Sequence, residues 1–441
     1  MIRSVAAATA LTALVAGAGF AAWLEPDPSW RAAQQDLRAA LRDTAGFAAD
    51  PGRLDTLAVA LLRVGRLDEA ATLFERVLGL APADPAASAA LGRLALANDD
   101  LARAESLLAR AGDDPLAPRD RFAAALRRGD WSGATDRAEA AGLGGREPQL
   151  RRLAEAGDAW RIEGPEAVTL RWVRAWPVPL VRARLAGQSV LLAVDTAAPG
   201  LLLDENLARR WKVETWSASM PVFWSGARVS ARPARVARLE LGDLAIGNVP
   251  AATLSLHRWS LDVNPHGEAV AGVIGLELLR RFTPTLDWKR QTLELRRAAT
   301  PPPAAGARRV PFQVWGDHEL TVWGSIAGGR RTAFVVQTGL PGAALAAPDE
   351  VFEEFGVRPS AMSRLVGGAG ARLQGRRGSA VVVPTVSIGA VEKDKVTGLS
   401  GALDASELWR HGVRRDAVLG GDFFRGERVT IDWASRTLIV E

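Results

Sequence analysis

Residues 191–200 read LLAVDTAAPG, and residues 333–342 read AFVVQTGLPG. Each is an apolar run of the kind that forms a buried strand, leading through a polar residue and a threonine into a Pro-Gly turn. Aligned without gaps, Thr196 meets Thr338, Pro199 meets Pro341 and Gly200 meets Gly342, at an offset of 142. The acid of the first copy, Asp195, meets Gln337 of the second. A second matched pair lies downstream. VIGLELLRRFTPTLDWKRQTLEL starts at Val273, and VLGGDFFRGERVTIDWASRTLIV starts at Val418. Here Gly275 meets Gly420, Arg280 meets Arg425, Thr285 meets Thr430, Asp287-Trp288 meets Asp432-Trp433, and Thr292-Leu293 meets Thr437-Leu438, at an offset of 145 throughout. Two motifs in the same order at nearly the same spacing mark a tandem duplication.

The segments around these motifs alternate with period two, as in AVTLRWVRA, VRARLAGQSVLLAV and ARVARLELGDLAIGNV. Short strands joined by glycine turns are predicted, and hence an all-β region from about residue 165. The Pro/Ala-rich stretch RAATPPPAAGARR, residues 297–309, reads as a linker between halves at 165–296 and 310–441.

A strand leading into Asp-Thr/Ser-Gly, a glycine-turn hairpin, then two apolar residues and Gly some eighty residues on is similar to one lobe of an aspartic peptidase. Two copies in one chain resemble the bilobal pepsin-type arrangement, built from retropepsin-like halves. The resemblance implies one catalytic carboxylate per lobe, the two sharing a proton because like charges about 3 Å apart cannot both ionise. It also implies a hairpin flap over an extended peptide. The flap candidates are residues 222–229, with Trp224, Ser225 and Gly226, and residues 365–378, with Gly367 and Gly368. The first lacks the tyrosine usual in pepsin-type flaps.

Measured against that family, each half has lost a different part of the site. Asp195 holds the first catalytic position and Gln337 the second. A glutamine fills the space and can hydrogen-bond Asp195, but it cannot ionise or hold the shared proton. Losing a general acid or base costs about 100- to 10,000-fold. The family's Gly after Thr is kept as Gly339 and replaced by Ala197; the Ser or Thr two residues on is Pro199 in one half and Pro341 in the other. The resemblance assigns Thr196 and Thr338 to hydrogen bonds across the lobe interface, together with Gly339, and Gly275 and Gly420 to structural turns. Without a like-charged neighbour, Asp195 is expected to be ionised at neutral pH unless burial raises its pKa. Asp287 and Asp432 read as hairpin turn formers. Glu277 and Asp422 read as surface or turn residues, with a second carboxylate for Asp195 as the alternative.

Residues 29–158 are rich in Ala, Leu and Arg, with apolar positions recurring at three and four, so helices are predicted. Ala70, Phe74 and Val77 recur 34 residues later as Ala104, Leu108 and Ala111, and Leu57 recurs as Leu91. This resembles the tetratricopeptide repeat, with small residues where paired helices cross and large ones between them. A shorter third unit places Ala134 at an offset of 30. Such arrays either bind peptides and partner proteins or act as a spacer.

The first 24 residues, a positive start followed by small apolar residues, read as a secretory signal with a cut after Ala18 or Ala21, or as an uncut membrane anchor. An exported protein, periplasmic or extracellular, is expected, touching membrane only through that segment. With 55 Lys+Arg against 50 Asp+Glu, the net charge of +5 is small, and the arginines are spread along the chain rather than gathered into a nucleic-acid patch. The absence of cysteine excludes disulfides, thiolate metal sites and a Cys nucleophile. His257, His266, His318 and His411 have no ligand-like spacing, and no metal or cofactor is expected.

The sequence thus predicts a multidomain protein: an all-α helical repeat followed by an all-β, two-lobed aspartic-peptidase-like domain. The leading functional reading is an exported pseudo-peptidase holding an extended peptide or protein segment, with a partner-binding repeat module. The alternatives are an active endopeptidase using Asp195 and an envelope scaffold acting through its repeats.

Overall fold

The computed structural model describes residues 30–42, 50–157, 159–224, 227–359, 372–373, 376–403, 409 and 411–441. The leader at 1–24 and the flap residues Ser225, Gly226, Gly367 and Gly368 lie outside the described residues. Among the described residues no helix is long and apolar enough to cross a membrane. The chain divides into two compact units, one of residues 1–96, 100–121 and 408–414, the other of residues 97–99, 122–407 and 415–441.

The first unit is helical. Among its described residues the helices are Trp30–Arg42, Pro51–Arg63, Leu67–Leu80, Pro85–Ala97 and Leu101–Leu108, and Ala117–Arg128 spans the division at residue 121. The repeat positions Ala70, Phe74, Val77, Ala104, Leu108 and Ala111 are all buried. Gly92 sits mid-helix, where it would ordinarily cost about 1 kcal/mol relative to Ala. A Cβ there would lie 2.7 Å from Leu108 Cγ, so the close crossing of two helices requires the glycine. Asp100 caps the helix it precedes by accepting from the Arg103 N–H. Arg93 is buried between Asp114 (2.9 Å) and Asp120 (2.8 Å), which neutralise it.

The second unit opens with helices. Trp131–Ala138 and Glu147–Glu155 pack with Phe122, Ala125 and Leu126 against the strands of the first β lobe. Gln149, fully buried, donates from Nε2 to the carbonyls of Ala234 (2.6 Å) and Ala251 (2.7 Å). The helical segment ends with Glu147–Glu155, while the compact division falls near residue 121, so its last helices are grouped with the β strands. The last helices bury their apolar face on the sheet rather than on another repeat.

Among the described residues, twenty-one strands form one connected network. Its centre is a six-stranded antiparallel sheet in the order Ala167–Arg174, Thr292–Arg296, Thr283–Asp287, Arg428–Asp432, Thr437–Val440, Arg308–Trp315. The middle pair places Thr285 opposite Thr430, the residues matched by the 145-residue offset, with their hydroxyl oxygens 2.8 Å apart. The duplication thus becomes a pseudo-two-fold axis. On either side each lobe sets its active-site strand parallel to its apolar-apolar-Gly strand: Gln188–Val194 beside Val270–Ile274, and Arg331–Gln337 beside Ala417–Gly420. Asp287 and Asp432 accept turn N–H groups, from Arg290 (2.8 Å) and Ala434 (3.2 Å).

Candidate active site

Asp195 follows the strand Gln188–Val194, and Gln337 ends the strand Arg331–Gln337. The first strand is buried from Val190 on and the second from Thr332 on, which fixes where their ends lie. The glycines at the ends of the partner strands, Gly275 just after one and Gly420 closing the other, permit the turns to close. A Cβ on Gly275 would fall 2.5 Å from the Ala198 carbonyl oxygen, and one on Gly420 would strike the Ala343 carbonyl oxygen.

The two threonines lock the turns together. The Thr196 hydroxyl donates to the Val336 carbonyl (2.7 Å) and accepts from the Thr338 N–H (3.2 Å). Reciprocally, the Thr338 hydroxyl donates to the Val194 carbonyl (3.0 Å) and accepts from the Thr196 N–H (3.1 Å). All of these groups are buried, so the four bonds form without competition from water.

This lock brings Asp195 and Gln337 together. Gln337 Nε2 donates to Asp195 Oδ2 at 3.4 Å. Three more N–H groups reach the same carboxylate. Those of Ala197 (2.9 Å) and Gly339 (3.3 Å) donate to Oδ1, and the Trp224 indole Nε1 donates to Oδ2 at 3.0 Å. A carboxylate offers about four acceptor positions, and here each oxygen takes two donors. Burial is the largest influence on Asp195 and pushes its pKa above the usual carboxylate range, while the four donors oppose that shift. The absence of a second carboxylate therefore does not leave an ordinary acid. For a protonated Asp195, turning the Gln337 amide over would present its oxygen as the acceptor.

Trp224 was legible from the sequence only as a flap residue. It ends Met220–Trp224, which pairs as a hairpin with the start of Ala227–Leu241. Its indole is 4 % exposed and meets the Trp259 ring edge-on at 5.2 Å. The flap strand packs through Met220, Val222 and Trp224 into the apolar cluster of the first lobe, with Val178, Leu180 and Leu256. The available signal was chemical: in a flap without tyrosine, an indole N–H is a donor that needs an acceptor when buried.

The two turns differ at the position after threonine. A Cβ on Gly339 would lie 2.5 Å from Asp195 Oδ2, so only glycine fits beside the acid. Ala197 instead places its methyl in a cluster with Val335, Leu340, Ala343 and Val418 of the second lobe. Pro199 and Pro341 contribute no donor; the Glu277 N–H donates to the Pro199 carbonyl at 3.0 Å. Neither Glu277 nor Asp422 contacts the Asp195 carboxylate. Glu277 lies by Gly200, with its pKa raised by burial, and Asp422 pairs with Arg425 at 3.0 Å. Of the second flap segment, the described backbone at Arg372–Leu373 pairs antiparallel with that at Arg376–Arg377. No group of three or more metal-ligating side chains occurs among the described residues.

Comparison with known families agrees with this geometry. Residues 181–278, which hold Asp195, Trp224 and Gly275, match the family described as aspartyl protease. Residues 61–129 match the tetratricopeptide repeat. The chain carries tetratricopeptide repeats in its helical region and, after them, an aspartyl-protease-like domain.

Proposed function

We propose that this protein is an exported, catalytically silenced relative of the aspartic peptidases, whose cleft retains an extended peptide or protein segment while its repeats hold a partner. The observation that carries the reading is the set of groups around Asp195. In place of a second carboxylate stands an amide, and all four acceptor positions are filled by protein N–H groups. A water to be activated against a peptide bond needs one of those positions and a second group to exchange protons with. Gln337 supplies no such group, and Trp224 occupies one of the positions. The paired strands of both lobes, on which a peptide-binding cleft would be built, are kept.

The purified full chain is expected to leave casein intact from pH 3 to pH 7. Gln337→Asp combined with Trp224→Tyr is expected to begin cleaving it. Wild-type cleavage abolished by Asp195→Asn would overturn the reading in favour of an active endopeptidase. Export is tested by fusing residues 1–29 to a phosphatase active only outside the cytoplasm; an inactive fusion argues against it.

A further inference from the structure

The long strand Ala227–Leu241 pairs on one side with Leu244–Leu254. Besides its hairpin with Met220–Trp224 over residues 227–231, it is covered in two further places. Leu180–Leu185 pairs with it at Leu239 and Glu240, and the short strand Glu214–Thr215 pairs with it at Ala234 and Arg235. Between these, at residues 236–238, no strand among the described residues lies against it. Both neighbours turn away there. The first ends in the two-residue turn Ala186-Gly187, with φ of 49° and 77°. The second is fed by Lys212, whose φ of 55° ends the helix Glu205–Arg210. The result is a three-residue opening in a sheet edge, where unpaired ladder groups are a template for another chain.

A cavity of about 250 Å³ occupies this opening. Its floor is apolar, with Leu185 and Val236 buried and Trp211 and Val213 packed against the same core. Its rim is cationic: Arg184, Lys212, Arg235 and Arg238 outnumber Glu214 and Glu240. Glu214 is engaged by Arg235 (2.6 Å), and Glu240 by Arg238 (2.9 Å) and Arg184 (3.4 Å). Both carboxylates are therefore taken, and Lys212 has no ion-pair partner among the described residues.

We propose that this notch is a docking site, separate from Asp195, for a short extended peptide that adds one to three residues to the open edge and sets a carboxylate against Lys212. An apolar side chain of the peptide rests on Trp211 and Val213. The cavity is smaller than the usual 300–1,000 Å³ of drug-sized ligand sites, which limits the occupant to about one or two residues within it. The carboxylate comes from an acidic side chain or from a chain end.

Calorimetry on the full chain tests this with four peptides: Ac-Ala-Val-Ala-Glu-NH2, Ac-Ala-Val-Ala-Val-OH, the neutral Ac-Ala-Val-Ala-Val-NH2, and the first with its central residues N-methylated. The two acids are expected to bind more tightly than the neutral amide, and whichever is tighter identifies the source of the carboxylate. Lys212→Glu is expected to weaken the acids about fivefold or more, the effect of losing roughly 1 kcal/mol at an exposed pair. N-methylation, which removes the ladder donors, is expected to abolish binding. Equal binding of acid and amide, or indifference to N-methylation, overturns the proposal. So does binding lost in Trp224→Ala and kept in Lys212→Glu, which would place the peptide in the cleft.

Discussion

The two active-site turns share a backbone lock and differ in the side chains it carries. Residues 195–200 keep the acid and have Ala197 where its counterpart has Gly339. Residues 337–342 keep the glycine and have an amide where their counterpart has the acid. The reciprocal bonds of Thr196 and Thr338 are nearly equal in length, so the backbone symmetry survived the divergence. Asymmetry is confined to what faces the carboxylate. Gly339 is held by the Asp195 carboxyl beside it, whereas Ala197 fills space in an apolar cluster. The comparison indicates that interface and chemistry rest on separable residues.

The largest expected effect breaks the comparison at that position. Gly339→Ala puts a methyl against a buried carboxyl and is expected to destabilise the protein by about 3 kcal/mol, at the upper end for overpacking. Ala197→Gly, the reciprocal change, is expected to cost about 1 kcal/mol for one buried methyl plus backbone freedom. Urea denaturation of both variants checks the contrast, and equal losses would show that the acid does not dictate the glycine.

Next come the threonines. Thr196→Val and Thr338→Val each strand a buried N–H and a buried carbonyl, and each is expected to cost about 2 kcal/mol. The double variant should cost less than the sum, because the two hydroxyls belong to one network. A clear inequality between the single variants would show that the lock is not symmetric.

Asp195→Asn tests the electrostatic half of the contrast. Burial holds the folded-state pKa of Asp195 above its ordinary value of 3.8. As pH rises, the unfolded chain therefore loses this proton first. The contribution of Asp195 to stability is complete below about pH 4 and declines as pH climbs through the folded pKa. The stability of the wild type relative to Asp195→Asn is expected to fall as pH rises above about 4, measured by urea midpoints. A flat difference would mean that the four donors outweigh burial. The smallest effect is at the central sheet pair: Thr285→Val and Thr430→Val are each expected to cost about 1 kcal/mol, because the hydroxyls bond to one another rather than to backbone.

Much of the architecture was readable from spacing. The 142- and 145-residue offsets place matched residues, and Thr285 opposite Thr430 is that spacing realised in space. The glycines at 275 and 420 were readable for the same reason, since a turn between two apolar strands tolerates little else. The helical region was readable from its period, but what its last helices pack against was not. Phe122, Trp131 and Leu150 carry the same periodic signal as the repeats, and nothing local states that their apolar face lies on a sheet.

The sequence by itself determined that there are two related lobes, that one acid survives, and that an amide stands opposite it. Those facts follow from residue identity and from regular spacing along the chain. Only the tertiary structure decided that the indole of Trp224, 29 residues from Asp195, closes the fourth acceptor position, and that burial rather than a second charge sets the acid's proton affinity. The reason is physical. Periodicity reports which face of an element is buried, whereas the partners of a buried polar atom depend on how distant elements pack. A flap tryptophan can point to solvent or to the cleft with the same local sequence.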